Sequence, residues 1–255
     1  MFIEFAIEQE VAFIRLNRPE KRNAFHKEMG KQMLHYLKEC EHNTEIRCVH
    51  IIGNGKAFCA GQDLMEVADN EDFKDVLEKQ YNPIILQIRR LPKPVVAAVN
   101  GVAAGAGVNI ALSCDIVVAA ANASFVQAFS KIGLIPDCGG TYILPRLIGW
   151  QKASALMLLG NMISAAEAEQ LGMIYKVFPD SSFENDSKEI ALQLAQMPTQ
   201  ALAFTKQALQ ASFHHSLQEQ LELESYLQQK AMNTHDAQEG MLAFLQKRKA
   251  SFTGH

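Results

Sequence analysis

The sequence contains no CxxC pair, no HExxH and no other close grouping of metal-ligating side chains. Its five cysteines, Cys40, Cys48, Cys59, Cys114 and Cys138, form an odd, scattered set. That excludes a disulfide framework and a structural zinc centre as organising devices, and reduced thiols in the cytoplasm are expected. The eight histidines form no array, and the neighbours His214 and His215 face different ways in any regular structure. Positive charge is not in excess: 24 Lys and Arg stand against 28 Asp and Glu, a formal net charge of −4. Broad binding to nucleic acid or to an anionic membrane is therefore not expected. No secretory signal opens the chain, because Glu4 and Glu8 fall where a basic start and an unbroken apolar stretch are needed. The uncharged run from Pro94 to Cys114 is long enough to span a bilayer, yet it carries Asn100, Asn109, Gly101, Gly105 and Gly107 and reads as the buried interior of a soluble fold.

With 255 residues, 48% of them hydrophobic, the chain can bury a substantial core in one large domain or two smaller ones. Residues 2–7 and 11–16 read as a hairpin. Met29, Met33, Leu37 and Cys40 recur at helical spacing, and a mostly apolar strand follows at 46–52. A helix over 75–91 stopped by Pro94, strands at 95–99 and 115–119, a helix at 165–171 and a strand at 173–178 complete an alternation that predicts α/β architecture with parallel strands. After Pro179 the pattern turns helical, with Ala237, Met241, Phe244 and Leu245 on one face. The expected division is an α/β core over 1–195 and a helical region over 196–255.

Three turns rich in small residues carry the candidate chemistry. Gly105-Ala-Gly107 begins like a dinucleotide fingerprint but lacks the third glycine and lies mid-chain. Its plain reading is tight packing of a helix on a strand, with N–H groups exposed at the helix start. In Phe58-Cys-Ala-Gly-Gln-Asp-Leu64, Asp63 is placed to cap a following helix. Pro136-Asp-Cys-Gly-Gly-Thr141 is ordinary turn chemistry, but Asp137 has apolar neighbours and no adjacent cation, which raises a carboxyl pKa and suits a proton-shuttling base. Cys59 and Cys138 read as small apolar filler, with a nucleophilic role as the alternative.

Together the turns resemble the crotonase superfamily of enoyl-CoA hydratases and isomerases. The resemblance runs through Leu16-Asn-Arg-Pro19 with Asn23-Ala24, Ala57 to Asp63, Lys93 to Gly107, Cys114-Asp-Ile116, Gly133 to Thr141, Leu144 to Gly149 and Phe244 to Arg248. It implies a spiral of strand-strand-helix turns followed by a helical C-terminal trimerisation region, giving trimers or hexamers. It also implies an acyl-CoA substrate and no separate cofactor, coenzyme A being part of the substrate. The oxyanion hole carries over to the N–H groups of Ala60 and Ala106. Coenzyme A would lie along Ala60, Gly61, Gln62, Asp63 and Leu64 beside Ala24. Arg22 and Lys247, the latter from a neighbouring subunit, are placed either near the phosphates or as solvated surface charge.

The departures from the family's hydratases point to the reaction. Their two water-activating glutamates correspond to Asn109 and Phe129, which here line the site without carboxylates, whereas Asp137 falls where isomerase branches carry an acidic residue. The run from Gln127 to Gly140 is similar to that of the ring 1,2-epoxyphenylacetyl-CoA isomerases. The expectation is an isomerase that shifts a 3-enoyl bond to the 2 position or converts the ring epoxide to oxepin-CoA. A hydratase or a thioester hydrolase with Asp137 or a cysteine as nucleophile is the rival, and a non-catalytic acyl-CoA or RNA binding protein is the reading from another class.

Overall fold

The computed structural model describes residues 1–67 and 73–255. Ile3–Glu8 (β1) and Val11–Leu16 (β2) pair antiparallel, leaving a loop of only Gln9 and Glu10. Both loop residues have positive φ, 48° and 65°, which matches the twist of a two-residue hairpin. Helix α1, Lys27–His42, then buries Met29, Met33, Leu37 and Cys40, the stripe its spacing predicts.

From there the chain winds in turns of two strands and a helical part. Cys48–Gly53 (β3) and Ala57–Cys59 (β4) lead to Leu64–Val67 (α2), Phe73–Val76 (α3) and Asn82–Arg90 (α4), with a π-turn at Leu77–Tyr81. Val95–Val99 (β5) and Val102–Ala104 (β6) lead to Ala106–Leu112 (α5). Ile116–Ala120 (β7) and Ser124–Val126 (β8) lead to Gly140–Ile148 (α6) and Trp150–Leu159 (α7), and Met162–Ser164 (β9), Ala165–Gln170 (α8) and Lys176–Phe178 (β10) follow. The first strand of each turn joins a six-stranded sheet ordered β1-β2-β3-β5-β7-β10, and the second joins a four-stranded sheet ordered β4-β6-β8-β9. Apart from β1 and β9 at their edges, neighbouring strands run parallel. β3 and β5 are buried along their whole length, as central parallel strands covered on both faces must be. Two glycines make the winding possible. A Cβ at Gly101 would overlap the Lys56 carbonyl, and one at Gly107 would overlap the Cys59 carbonyl, so the small residues of the second turn serve helix-on-strand packing.

Several boundaries differ from expectation. The helical stretch before β5 ends at Arg90 because Leu91 is extended ahead of Pro92, so Pro92 rather than Pro94 stops it. β10 covers only Lys176–Phe178, since the residues before it turn and bend, with Tyr175 donating its N–H to the Val117 carbonyl just ahead of the strand. Asp115 precedes β7, where its carboxylate accepts the Val95 N–H at 2.8 Å and pairs with Lys206 at 2.7 Å. The stretch 94–114 is β5, β6 and α5, and among the described residues no helix is long and apolar enough to cross a membrane.

Phe183–Ala195 (α9) packs on β3 and β5. Thr199–Ala211 (α10), Leu217–Met232 (α11) and His235–Leu245 (α12) follow with no further strand. Two buried cations tie this helical part to the spiral. Arg47 donates to Thr199 Oγ1 and to the carbonyls of Met197 and Phe252, and Lys206 donates to the carbonyls of Ile88 and Lys93 besides Asp115. The outer faces of the last helices keep Met241, Phe244 and Leu245 exposed.

Candidate active site

The loop after β4 is shaped by residues far behind it in sequence. Asn23, fully buried, donates from Nδ2 to the carbonyls of Asn54 and Ala57 and accepts the Arg18 N–H at 2.8 Å. This pins the 18–25 turn against the start of β4. Three backbone bonds then lace the two segments: Ala60 N–H to the Arg22 carbonyl at 3.0 Å, Phe25 N–H to the Gly61 carbonyl at 2.7 Å, and Asp63 N–H to the Phe25 carbonyl at 2.8 Å. The expected oxyanion donor Ala60 is thereby corrected, because its N–H already serves Arg22. Gly61 and Asp63 both turn toward Phe25, and the alternation of an extended bridge aims the Gln62 N–H the other way. The neighbouring Gly61 packs against the start of α5: a Cβ there (φ 91°) would sit 3.0 Å from the Ala104 carbonyl oxygen and 3.7 Å from the Ala106 nitrogen. Among the described residues neither the Gln62 nor the Ala106 N–H meets an acceptor, and Ala106 opens α5, where a helix leaves its first N–H groups unused.

The side chains of this loop shape it rather than react. Asp63 pairs with Arg18 at 2.8 Å, and its Oδ1 accepts the Met65 N–H at 3.1 Å, the capping role. Burial pushes its carboxyl up, but Arg18 and the Met65 N–H outweigh this and hold it below the usual range. Arg18 also donates to the Ala24 carbonyl at 3.1 Å. Leu64 begins α2, half exposed. Arg22 is exposed at the loop's edge with a left-handed backbone, φ 52°. Lys247 is not brought here: it lies exposed in the turn closing α12, its N–H on the Phe244 carbonyl, and no hydrogen bond or ion pair among the described residues links it to 60–64.

Asp137 sits in the turn before α6, followed by Cys138 and Gly139, both with positive φ, 52° and 74°. Its Oδ1 is buried without a hydrogen-bond partner. Burial raises its carboxyl above the usual carboxylate range, and a hydrogen bond from the Cys138 thiol offsets only part of that. Its carbonyl accepts the Gly140 N–H at 2.9 Å and Asn109 Nδ2 at 2.8 Å. Asn109 is fully buried on α5, three residues past Ala106, and its Oδ1 accepts Gln127 Nε2 at 2.8 Å. Phe129 is buried, its ring 3.7 Å from where a Gly105 Cβ would lie, so it walls the same turn that presents Ala106.

The two thiols of this region are not primed nucleophiles. Burial pushes Cys59 up to about 12 and Cys138 higher still, the latter reinforced by Asp137 beside it. Two functional neighbours escape sequence reasoning. Tyr81, buried in the π-turn, donates its hydroxyl to Gln62 Oε1. Burial pushes its own pKa well up, with Cys59, Cys138 and Asp137 close enough to add to the effect. Gln127 lies inside a motif the sequence marks, yet nothing there assigns it a task.

The family model for enoyl-CoA hydratase/isomerase matches residues 6–255. A 1,2-epoxyphenylacetyl-CoA isomerase of Escherichia coli is 45% identical over 99% of this chain and 98% of its own length. A probable enoyl-CoA hydratase of Rhodobacter capsulatus is 42% identical over 99% and 98%. The crystal structure of an enoyl-CoA hydratase from Bacillus anthracis superposes with a TM-score of 0.96 at 32% identity, covering 100% of both chains. A spiral of this winding and a match along nearly the whole chain place the protein as an enzyme of the enoyl-CoA hydratase/isomerase family, the crotonases.

Proposed function

We propose that the protein is an acyl-CoA isomerase in which Asp137 is the single acid/base and the N–H groups of Gln62 and Ala106 hold the thioester oxygen. Asp137 takes a proton from C2 of a 3-enoyl thioester, the electron pair moves onto the carbonyl oxygen, and the two donors stabilise the negative charge that develops there. The protonated Asp137 then returns the proton at C4, leaving the double bond at C2–C3. A raised pKa suits both halves of that transfer. Ring 1,2-epoxyphenylacetyl-CoA, converted to oxepin-CoA, is the second candidate substrate, supported by the name of the Escherichia coli relative. Coenzyme A lies along Gly61–Leu64 with Arg22 at the edge and arrives with the substrate, so proton transfer needs no separate cofactor.

The observation that carries this reading is the pairing of a buried, unpartnered carboxyl oxygen on Asp137 with an Asn109 amide already engaged at both ends. Hydration needs a carboxylate to deprotonate water, and neither Asn109 nor Phe129 supplies one. Matched 3-enoyl-, 2-enoyl- and aryl-epoxide-CoA thioesters, incubated in ¹⁸O-labelled water, decide it by product mass. Bond-shifted or ring-expanded product is expected to exceed labelled 3-hydroxyacyl-CoA by about 10²-fold or more. Labelled hydroxyacyl-CoA at an equal or higher rate makes the protein a hydratase. The assembly we infer is a cytoplasmic trimer or hexamer covering Met241, Phe244 and Leu245, which would also bring a neighbour's Lys247 within reach of the coenzyme. A monomer of 28.3 kDa by light scattering overturns that inference.

A further inference from the structure

The amides of Gln127 and Asn109 form a short chain that ends on the turn carrying Asp137. Gln127 Nε2 donates to Asn109 Oδ1, and Asn109 Nδ2 donates to the Asp137 carbonyl, both at 2.8 Å. Gln127 is 3% exposed and Asn109 not at all, while the other polar atom of Gln127, Oε1, is buried without a partner. A half-satisfied buried amide is a poor packing element, and a methionine would fill similar space without a stranded acceptor. What the amide does well is aim one N–H. The turn it supports needs support: Cys138 is a non-glycine residue at φ 52°, a conformation that persists only when its surroundings enforce it. Gly140 packs so closely on the Asn109 amide that a Cβ there would overlap it, which stops Asn109 from swinging away.

We propose that Gln127 and Asn109 are positioning residues for Asp137: Gln127 fixes the orientation of the Asn109 amide, and Asn109 fixes the Asp137 carbonyl, so that the carboxyl is held in its buried pose. This rests on Asp137 being the acid/base. In the full-length protein, Gln127→Met is expected to lower kcat about 10- to 100-fold with KM for the acyl-CoA little changed. The acid limb of its pH–rate profile moves down toward the ordinary carboxylate range as Asp137 becomes better solvated. Added to Asp137→Asn, the same substitution lowers the residual rate no further, because both act through one group.

Unchanged kcat with an unmoved limb overturns the proposal, and so does an equal further loss in the Asp137→Asn background. If circular dichroism shows Gln127→Met unfolded, the isosteric Asn109→Asp is read instead. It keeps the acceptor for Gln127 and sets an oxygen against the Asp137 carbonyl, with the same fall in kcat expected. Should Asp137→Asn alone retain normal turnover, the acid/base reading and the proposal both fall. Should it be inactive while Gln127→Met and Asn109→Asp are normal, only the positioning role falls.

Discussion

In the proposed site, the loop at 60–63 and the turn at 137–140 use opposite parts of the residue. In the loop the useful groups are backbone N–H donors, and the side chains of Gln62 and Asp63 are engaged with Tyr81 and Arg18. In the turn the useful group is one side chain, and the backbone is engaged with Gly140 and Asn109. A site built this way is expected to tolerate changes of residue type on the first side as long as the chain keeps its path, and almost none at Asp137.

The sharpest way to break the contrast is Asp137→Asn. Turnover is expected to fall about 10²- to 10⁴-fold while coenzyme A affinity is retained, measured by steady-state kinetics and calorimetric titration. Melting temperature should rise, by about 2–4 °C for each kcal/mol of relieved burial cost at this chain length, because an uncharged amide replaces a carboxylate that burial disfavours.

Next comes Ala106→Pro. Position 106 opens α5, where proline is accommodated, so the change keeps the helix while it removes the N–H and sets the ring Cδ in its place. A loss of about 10²- to 10³-fold in kcat is expected, with native circular dichroism. Full activity would show that the Ala106 N–H plays no part.

The pH dependence separates chemistry from folding. Asp137 must be ionised to accept a proton, so kcat/KM is expected to fall as pH drops through its raised pKa, at a higher pH than an ordinary carboxylate gives. Its contribution to stability runs the other way: the folded state holds the proton more tightly than the unfolded chain, so folding is favoured as pH falls through the same window. Rate and melting temperature recorded between the ordinary and the raised value should therefore move in opposite directions, and Asp137→Asn should lose this contribution to the melting trend.

The smallest effect is expected from Gln62→Ala, which keeps the N–H and removes the hydrogen bond from Tyr81 and the longer one from Nε2 to the Asp63 carbonyl. At about 0.5–1.5 kcal/mol for such a bond, kcat should stay within about tenfold. A larger loss would move Gln62 to the side-chain half of the site.

The same contrast explains what the sequence discloses. Asp137 stands out because a carboxylate among apolar residues is a property of residue type, and the alternation of strands and helices is equally visible in the pattern from Met29 to Val99. A backbone donor has no residue type. Whether Ala60 or Gln62 presents its N–H depends on which way the strand faces Phe25, a pairing across 37 residues that no local pattern announces. Tyr81 is hidden for a related reason, since the π-turn that aims it is a deviation from helical geometry rather than a motif. Lys247 shows the converse, a residue that a motif marks and that no hydrogen bond or ion pair among the described residues ties to the loop.

The five buried thiols have a use outside catalysis. Cys59 lies under α5 and Cys138 beside Asp137, whereas Cys40 and Cys48 sit in α1 and β3. With all five buried, each is expected to be labelled by a thiol reagent only as often as its surroundings open. The order in which they react in dilute denaturant is thus an intrinsic clock, timing the loosening of the small-residue turns against that of the sheet without any probe being introduced.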